Sequence, residues 1–133
     1  MPKNIRQSVT LPARPNVVYR ALMTSKGHAA FTGGAARIDA KIGGKFSVYD
    51  GYITGVNVEL ARDRRIVQAW RGSDWPKGAY SIATFELEPT RDGKTILTFT
   101  QTGVPDEFHA DIKKGWKDFY WKPMALSMGS RAS

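Results

Sequence analysis

Six short runs between residues 36 and 102 limit what this chain can become, because each reads as a strand and each is parted from the next by turn residues. Period-two alternation marks a half-buried strand, and strands joined by short turns pair antiparallel. The runs fall at 36–40, 45–49, 52–60, 66–71, 80–88 and 95–102. Between them lie Gly43-Gly44, Asp50-Gly51, Arg62-Asp63-Arg64 and Asp92-Gly93, with one longer connection at 72–78 that carries Trp75-Pro76. Asp-Gly between alternating runs is a strong hairpin signal. Strands parted by such short connections read as an antiparallel meander. In the run 52–60, Tyr52, Thr54, Val56, Val58 and Leu60 share the face expected to turn inward, while Ile53, Gly55, Asn57 and Glu59 share the other.

The two ends add the helices. Residues 5–11 form one more alternating run, with Ile5, Gln7, Val9 and Leu11 on one face. Pro12 and Pro15 stop it, and Pro15 suits the first turn of a helix, where a missing N–H costs nothing. Val18, Ala21 and Leu22 share one side of that helix, and Thr24 or Ser25 can cap a second short helix ending near Ala30. The chain closes with a helix over about residues 106–126, on which Phe108, Ile112, Trp116, Phe119, Tyr120 and Pro123 form one stripe. Pro123 is expected to kink that helix or to begin its final segment. The order predicts an α+β fold in one domain over 1–133: a curved antiparallel sheet around a long C-terminal helix, with two short helices after the first strand.

A curved sheet wrapped round such a helix need not fill its interior. Small Ser81 and Ala83 share a face with Phe85 and Leu87, and that alternation predicts a hollow beneath Trp116 and Tyr120. The residues expected to line it are Phe46, Val48, Tyr52, Thr54, Trp70, Ser81, Ala83, Phe99, Gln101, Trp116 and Tyr120. Mostly apolar pockets with a few polar groups are the usual sites for small molecules. By helical angle Trp121 points away from the stripe, and with Met124 and Met128 it forms a candidate surface for a protein partner.

Other classes find less support. The sequence has no Cys and two His, so thiolate chemistry is excluded and neither a metal site nor a cofactor is expected. No catalytic constellation is visible. His28, Asp39 and Glu107 are the available candidates for an acid or base, and no spacing pairs any two of them. Twenty Lys and Arg against twelve Asp and Glu leave a net charge of +8. The basic residues are scattered, with local concentrations only at Arg62-Asp63-Arg64-Arg65 and at Lys113, Lys114 and Lys117, so no nucleic-acid stripe is expected. No run approaches the roughly 18 apolar residues of a membrane span, and the polar start lacks a signal-peptide core. These features predict a soluble cytoplasmic protein, monomer or homodimer.

The run Ile66-Val67-Gln68-Ala69-Trp70-Arg71-Gly72-Ser73-Asp74-Trp75-Pro76 resembles the I-V-x-x-W-R-x-x-x-W-P signature of the activator of heat shock protein 90 ATPase, C-terminal-domain family. Gly43-Gly44-Lys45-Phe46, Gly51-Tyr52-Ile53-Thr54-Gly55 with Glu59-Leu60, Thr100-Gln101-Thr102-Gly103-Val104-Pro105 and Gly115-Trp116-Lys117-Asp118-Phe119-Tyr120 match the rest of its pattern in order. The resemblance implies the helix-grip fold of the START-like, birch-pollen-allergen-like (SRPBCC) superfamily. Members of that superfamily commonly bind lipids, sterols or polyketides, and some are cyclases or dehydratases. It carries over no catalytic residue. The function expected first is therefore a non-enzymatic domain that binds a hydrophobic or aromatic small molecule. A co-chaperone-like module that contacts a chaperone of the heat shock protein 90 type comes second, and a polyketide cyclase-like enzyme third.

Overall fold

The computed structural model describes residues 4–132, with side chains through 129. β1 (Ile5–Leu11) is followed by α1 (Pro15–Met23) and α2 (Ser25–Thr32). Pro15 opens α1, and the Thr24 hydroxyl starts α2 by accepting the Gly27 N–H at 3.0 Å. Gly33 ends α2 at φ 77°, a left-handed position that a Cβ would oppose. Then come β2 (Arg37–Ile38), β3 (Lys45–Val48), β4 (Ile53–Ala61), β5 (Arg65–Gly72), β6 (Ser81–Pro89) and β7 (Thr95–Thr102). All pairs are antiparallel, in the order β1-β7-β6-β5-β4-β3-β2. The fold is α+β, as the alternation and the turns predict.

The expected strand at 36–40 shortens to β2, two residues at the sheet edge. Asn57 takes the chain after it. Its side-chain amide donates to the carbonyls of Asp39 and Lys41, and its backbone exchanges bonds with Gly43 and Gly44. The loop is thus tied to a buried polar residue, not to a ladder.

β4 also corrects the expected orientation. Ile53, Gly55 and Asn57 face the core, while Thr54 and Val56 face away from it. After Asn57 the register slips by one, from Asn57 opposite Gln68 to Glu59 opposite Val67. Val58 is the extra residue of this bulge and is half exposed, and Leu60 returns to the inner side opposite Ile66. The inner face needs a small residue at 55. A Cβ on Gly55 would sit 2.0 Å from the Ala69 carbonyl oxygen and 2.5 Å from Cζ of Phe46. Phe46, paired with Gly55 across the ladder, lies over that space.

The C-terminal helix lies on the concave face in four parts. A 3₁₀ turn (Asp106–Phe108) leads into α3 (His109–Trp116), a π-turn (Lys117–Trp121) follows, and α4 (Lys122–Ala132) packs against α2 and β1. Pro123, the second residue of α4, begins the final segment. In the wider π-turn the residues four and five positions after Trp116 both fall on its side. Tyr120 and Trp121 therefore both contact Trp116, at ring distances of 4.5 and 5.6 Å.

Trp116 is the centre of the core. Its ring meets Phe99 at 4.2 Å, Trp70 at 5.4 Å and Phe85 at 5.7 Å. Its indole N–H donates to Gln101 Oε1, Gln101 Nε2 donates to Ser81 Oγ, and Ser81 Oγ donates to the Trp70 carbonyl, each at 2.8 Å. Buried polar groups are tolerated when every member of the chain is paired. This one ties the helix to β5, β6 and β7. No helix among the described residues is long and apolar enough to cross a membrane.

Candidate functional site

The hairpin between β3 and β4 positions the site. Val48 pairs with Ile53, so the four residues Tyr49–Asp50–Gly51–Tyr52 leave the ladder together. A Gly51 N–H to Val48 carbonyl bond closes the turn. Tyr49 and Asp50 sit at φ 51° and 57°, uncommon values for residues with a Cβ. That conformation turns the Tyr49 ring toward the C-terminal helix. There it packs on His28, Phe119 and Tyr120, at 5.9, 5.9 and 5.8 Å. Pro123 has no N–H to offer the Phe119 carbonyl four residues back, and the Tyr49 hydroxyl donates to that carbonyl instead.

Between this turn and the helix lies a cleft of about 380 Å³. Its sheet side is Tyr49, Tyr52, Ile53 and Trp70, and its helix side is Asp111, Ile112, Gly115, Trp116, Phe119 and Tyr120. Gly115 leaves the middle of the helix side bare. Among the described residues Asp111 is the one charged residue in the lining, and no Lys or Arg belongs to it. At the mouth the Tyr52 hydroxyl donates to Asp74 Oδ1 at 2.9 Å. Burial first, and then the carboxylates of Asp74 and Asp111, push the Tyr52 phenol up to about 12. Burial also pushes Tyr49 up to about 12 and raises Tyr120 well above the usual phenol range. All three phenols are neutral at physiological pH.

Behind the cleft, the buried His28 and Tyr120 share a 2.9 Å hydrogen bond between Nε2 and the hydroxyl. Burial lowers the His28 pKa to about 4, whereas the unfolded chain binds that proton near 6.5. Between those values the unfolded state holds more protons, so stability falls as pH drops from about 6.5 to about 4. The expected loss from this residue approaches roughly 3 kcal/mol. Urea unfolding from pH 4 to 7 tests this: His28→Gln should have a flatter pH dependence than the wild type, and an unchanged slope would show that other groups carry it.

The residues expected to line the hollow divide into four groups. Tyr52, Trp70, Trp116 and Tyr120 border the cleft. Phe46 and Val48, again with Trp70 and Tyr120, surround a separate void of only about 10 Å³, too small for an organic ligand. Ser81, Ala83, Phe99 and Gln101 are fully buried core residues that line neither space, because the Trp116 indole fills the hollow beneath them. Thr54 faces the outer side of β4.

The surface expected at Trp121, Met124 and Met128 is absent. These residues are 6%, 0% and 5% exposed, because the π-turn rotates Trp121 inward and α4 lies on α2 and β1. The Trp121 indole donates to Gln7 Oε1 at 2.7 Å. Phe119, expected in the core stripe, is instead 59% exposed at the lip of the cleft. Asp39 is exposed beside Lys41, and Glu107 is exposed; neither lines the cleft. Among the described residues no group of three or more His, Asp or Glu is placed to hold a metal ion. Sequence reasoning missed Tyr49, Ile53, Asp111, Ile112, Gly115 and Phe119 as lining residues. The signal for the four on the helix was their 3.6-residue spacing with one another and with Trp116.

A seven-stranded antiparallel sheet gripping a C-terminal helix, with a cleft along that helix, defines a helix-grip domain. A family model described as "Activator of Hsp90 ATPase homolog 1-like protein" matches residues 12–126, and the chain belongs to that family. It is 29% identical over 120 residues to the human activator of 90 kDa heat shock protein ATPase homolog 1, covering 90% of this chain and 35% of that protein. It is 31% identical over 115 residues to the Dictyostelium discoideum homologue, covering 86% of this chain and 30% of that one. The chain thus spans about a third of the length of these relatives. Among solved structures, an HSP90 activator from Plasmodium falciparum superimposes with a TM-score of 0.88 at 25% identity, covering 95% of this chain and 96% of that one.

Proposed function

We propose that this chain is a binding domain that takes an apolar or aromatic small molecule in the cleft between the Tyr49–Tyr52 turn and the C-terminal helix. The carrying observation is the cleft itself: about 380 Å³, walled by six aromatic rings. Small-molecule sites typically occupy roughly 300–1,000 Å³ with apolar walls and few polar groups. The rings supply contact area, and Tyr52 and Asp111 supply polar contacts at the edge. The core beneath is already filled, so a guest would enter from the side and stop at Trp116.

Gly115→Leu separates binding from folding. A Cβ there meets only Phe119 Cδ2, at an ordinary 3.7 Å, and a leucine would project into the cleft. Replacing a mid-helix glycine with leucine should stabilise the fold by roughly 0.5–1 kcal/mol. The wild type should give saturable changes in tryptophan fluorescence or thermal stability with at least one member of a panel of lipids, sterols, flavonoids and polyketides. Gly115→Leu should melt no lower and lose that response. A silent wild type, or an undiminished response in the variant, would count against the reading.

A second reading, contact with a chaperone of the Hsp90 type, is supported by the names of the human and Plasmodium relatives. Such contact would use a surface other than Trp121, Met124 and Met128. A pull-down with an Hsp90 homologue at low salt and the ATPase rate of that chaperone test it; no binding together with an unchanged rate would remove it. Both readings suit a cytoplasmic protein.

A further inference from the structure

We propose that the cleft selects a hydrophobic organic cation, an ammonium or quaternary ammonium carried on an apolar body. The inference rests on the small-molecule reading above and specifies the charge of the guest. Three observations carry it. First, the wall presents the rings of Tyr49, Tyr52, Trp70, Trp116, Phe119 and Tyr120, and aromatic faces are negative and attract cations. Second, the one charged lining residue is a carboxylate, Asp111, and a second carboxylate, Asp74, is held at the mouth by Tyr52. Third, the chain has 20 Lys and Arg against 12 Asp and Glu, yet among the described residues no Lys or Arg lines the cleft. Chance composition would favour the opposite sign.

The guest's charge would lie near Asp111 and Asp74 while its apolar body extends along Ile53 and Ile112 toward Trp116. A fatty acid or other organic anion would bring its carboxylate toward two like charges with no basic partner in the wall. The geometry therefore disfavours anionic lipids among the hydrophobic molecules that fit by size.

Three probes of matched shape decide it: (naphthalen-2-ylmethyl)trimethylammonium, its neutral carbon isostere 2-neopentylnaphthalene, and 2-naphthylacetate, each titrated into the full chain by tryptophan fluorescence in one buffer. The cation should bind about tenfold more tightly than the neutral isostere and the anion most weakly. Asp111→Asn, at an exposed position, should reduce the ratio of cation to neutral affinity about threefold or more. Added salt should also weaken the preference. Equal binding of cation and neutral isostere, or tighter binding of the anion, would overturn the cation inference and leave the small-molecule reading standing. Binding of none of the three would overturn the cation inference and weigh against the broader reading, which the wider ligand panel judges separately.

Discussion

Trp116→Ala is expected to cost about 3–5 kcal/mol of stability, the usual price of removing a large buried aromatic residue. The residue is 2% exposed, and its ring meets Trp70, Phe85, Phe99, Tyr120 and Trp121. Alanine would open a cavity at the point where helix and sheet meet. It would also leave Gln101 Oε1 buried without the indole N–H that it accepts. Many domains this size have only about 5–15 kcal/mol in total, so the variant should unfold at much lower urea. Circular dichroism is the right readout, since the substitution alters tryptophan fluorescence directly. Trp116→Phe isolates the hydrogen bond: it keeps a ring and orphans Gln101, for an expected cost of about 1–3 kcal/mol. Pairing it with Gln101→Leu should recover part of that cost, because the unpaired acceptor is removed too. A Trp116→Ala protein as stable as the wild type would mean that the helix does not sit on the sheet as described.

Gly55→Ala should be nearly as damaging despite adding one methyl group. The new Cβ would lie 2.0 Å from the Ala69 carbonyl oxygen, within the β4–β5 ladder, and 2.5 Å from Phe46. Phe46 can turn aside, but the carbonyl cannot move without parting two central strands. The expected cost is about 3 kcal/mol or more, at the upper end for overpacking. Phe46→Ala in the same chain should recover little, since the backbone clash persists and a cavity is added. Full recovery in the double variant would assign the clash to the side chain alone. The contrast with Gly115→Leu is instructive: one glycine is required by a close approach, and the other leaves a cleft open.

Much of the architecture was legible because it follows from local rules. The strands read from alternation, the hairpins from Asp-Gly and neighbouring turns, and the two short helices from Pro15 and Thr24. Three features escaped that reading for physical reasons. The inner face of β4 carries Gly55 and Asn57, while Val56 and Val58 point outward, so hydrophobicity named the wrong face. Phe46 and the loop bound by Asn57 supply the packing that those two side chains lack. The π-turn after Trp116 has no sequence signature, and ideal helical angles therefore placed Trp121, Met124 and Met128 outside when they belong to the core. Finally, Tyr49 read as the last residue of a strand. Only its left-handed turn conformation carries it across to the helix, where it becomes a wall of the cleft. The cleft consequently lies beside the expected hollow: the Trp116 indole fills the one, and Gly115 leaves the other open.

The four indole N–H groups give the most direct view of where a guest sits. In a two-dimensional ¹⁵N–¹H spectrum, a ligand in the cleft should shift the indole signals of Trp70 and Trp116 and the amide of Gly115, which border it. The Trp121 indole, bonded to Gln7 on the far side of the helix, should move least. Saturable shifts in that order are the expected result. Shifts concentrated at Trp121 and Met128, or no shift with any ligand that binds the chain, would contradict the assignment of this cleft as the site.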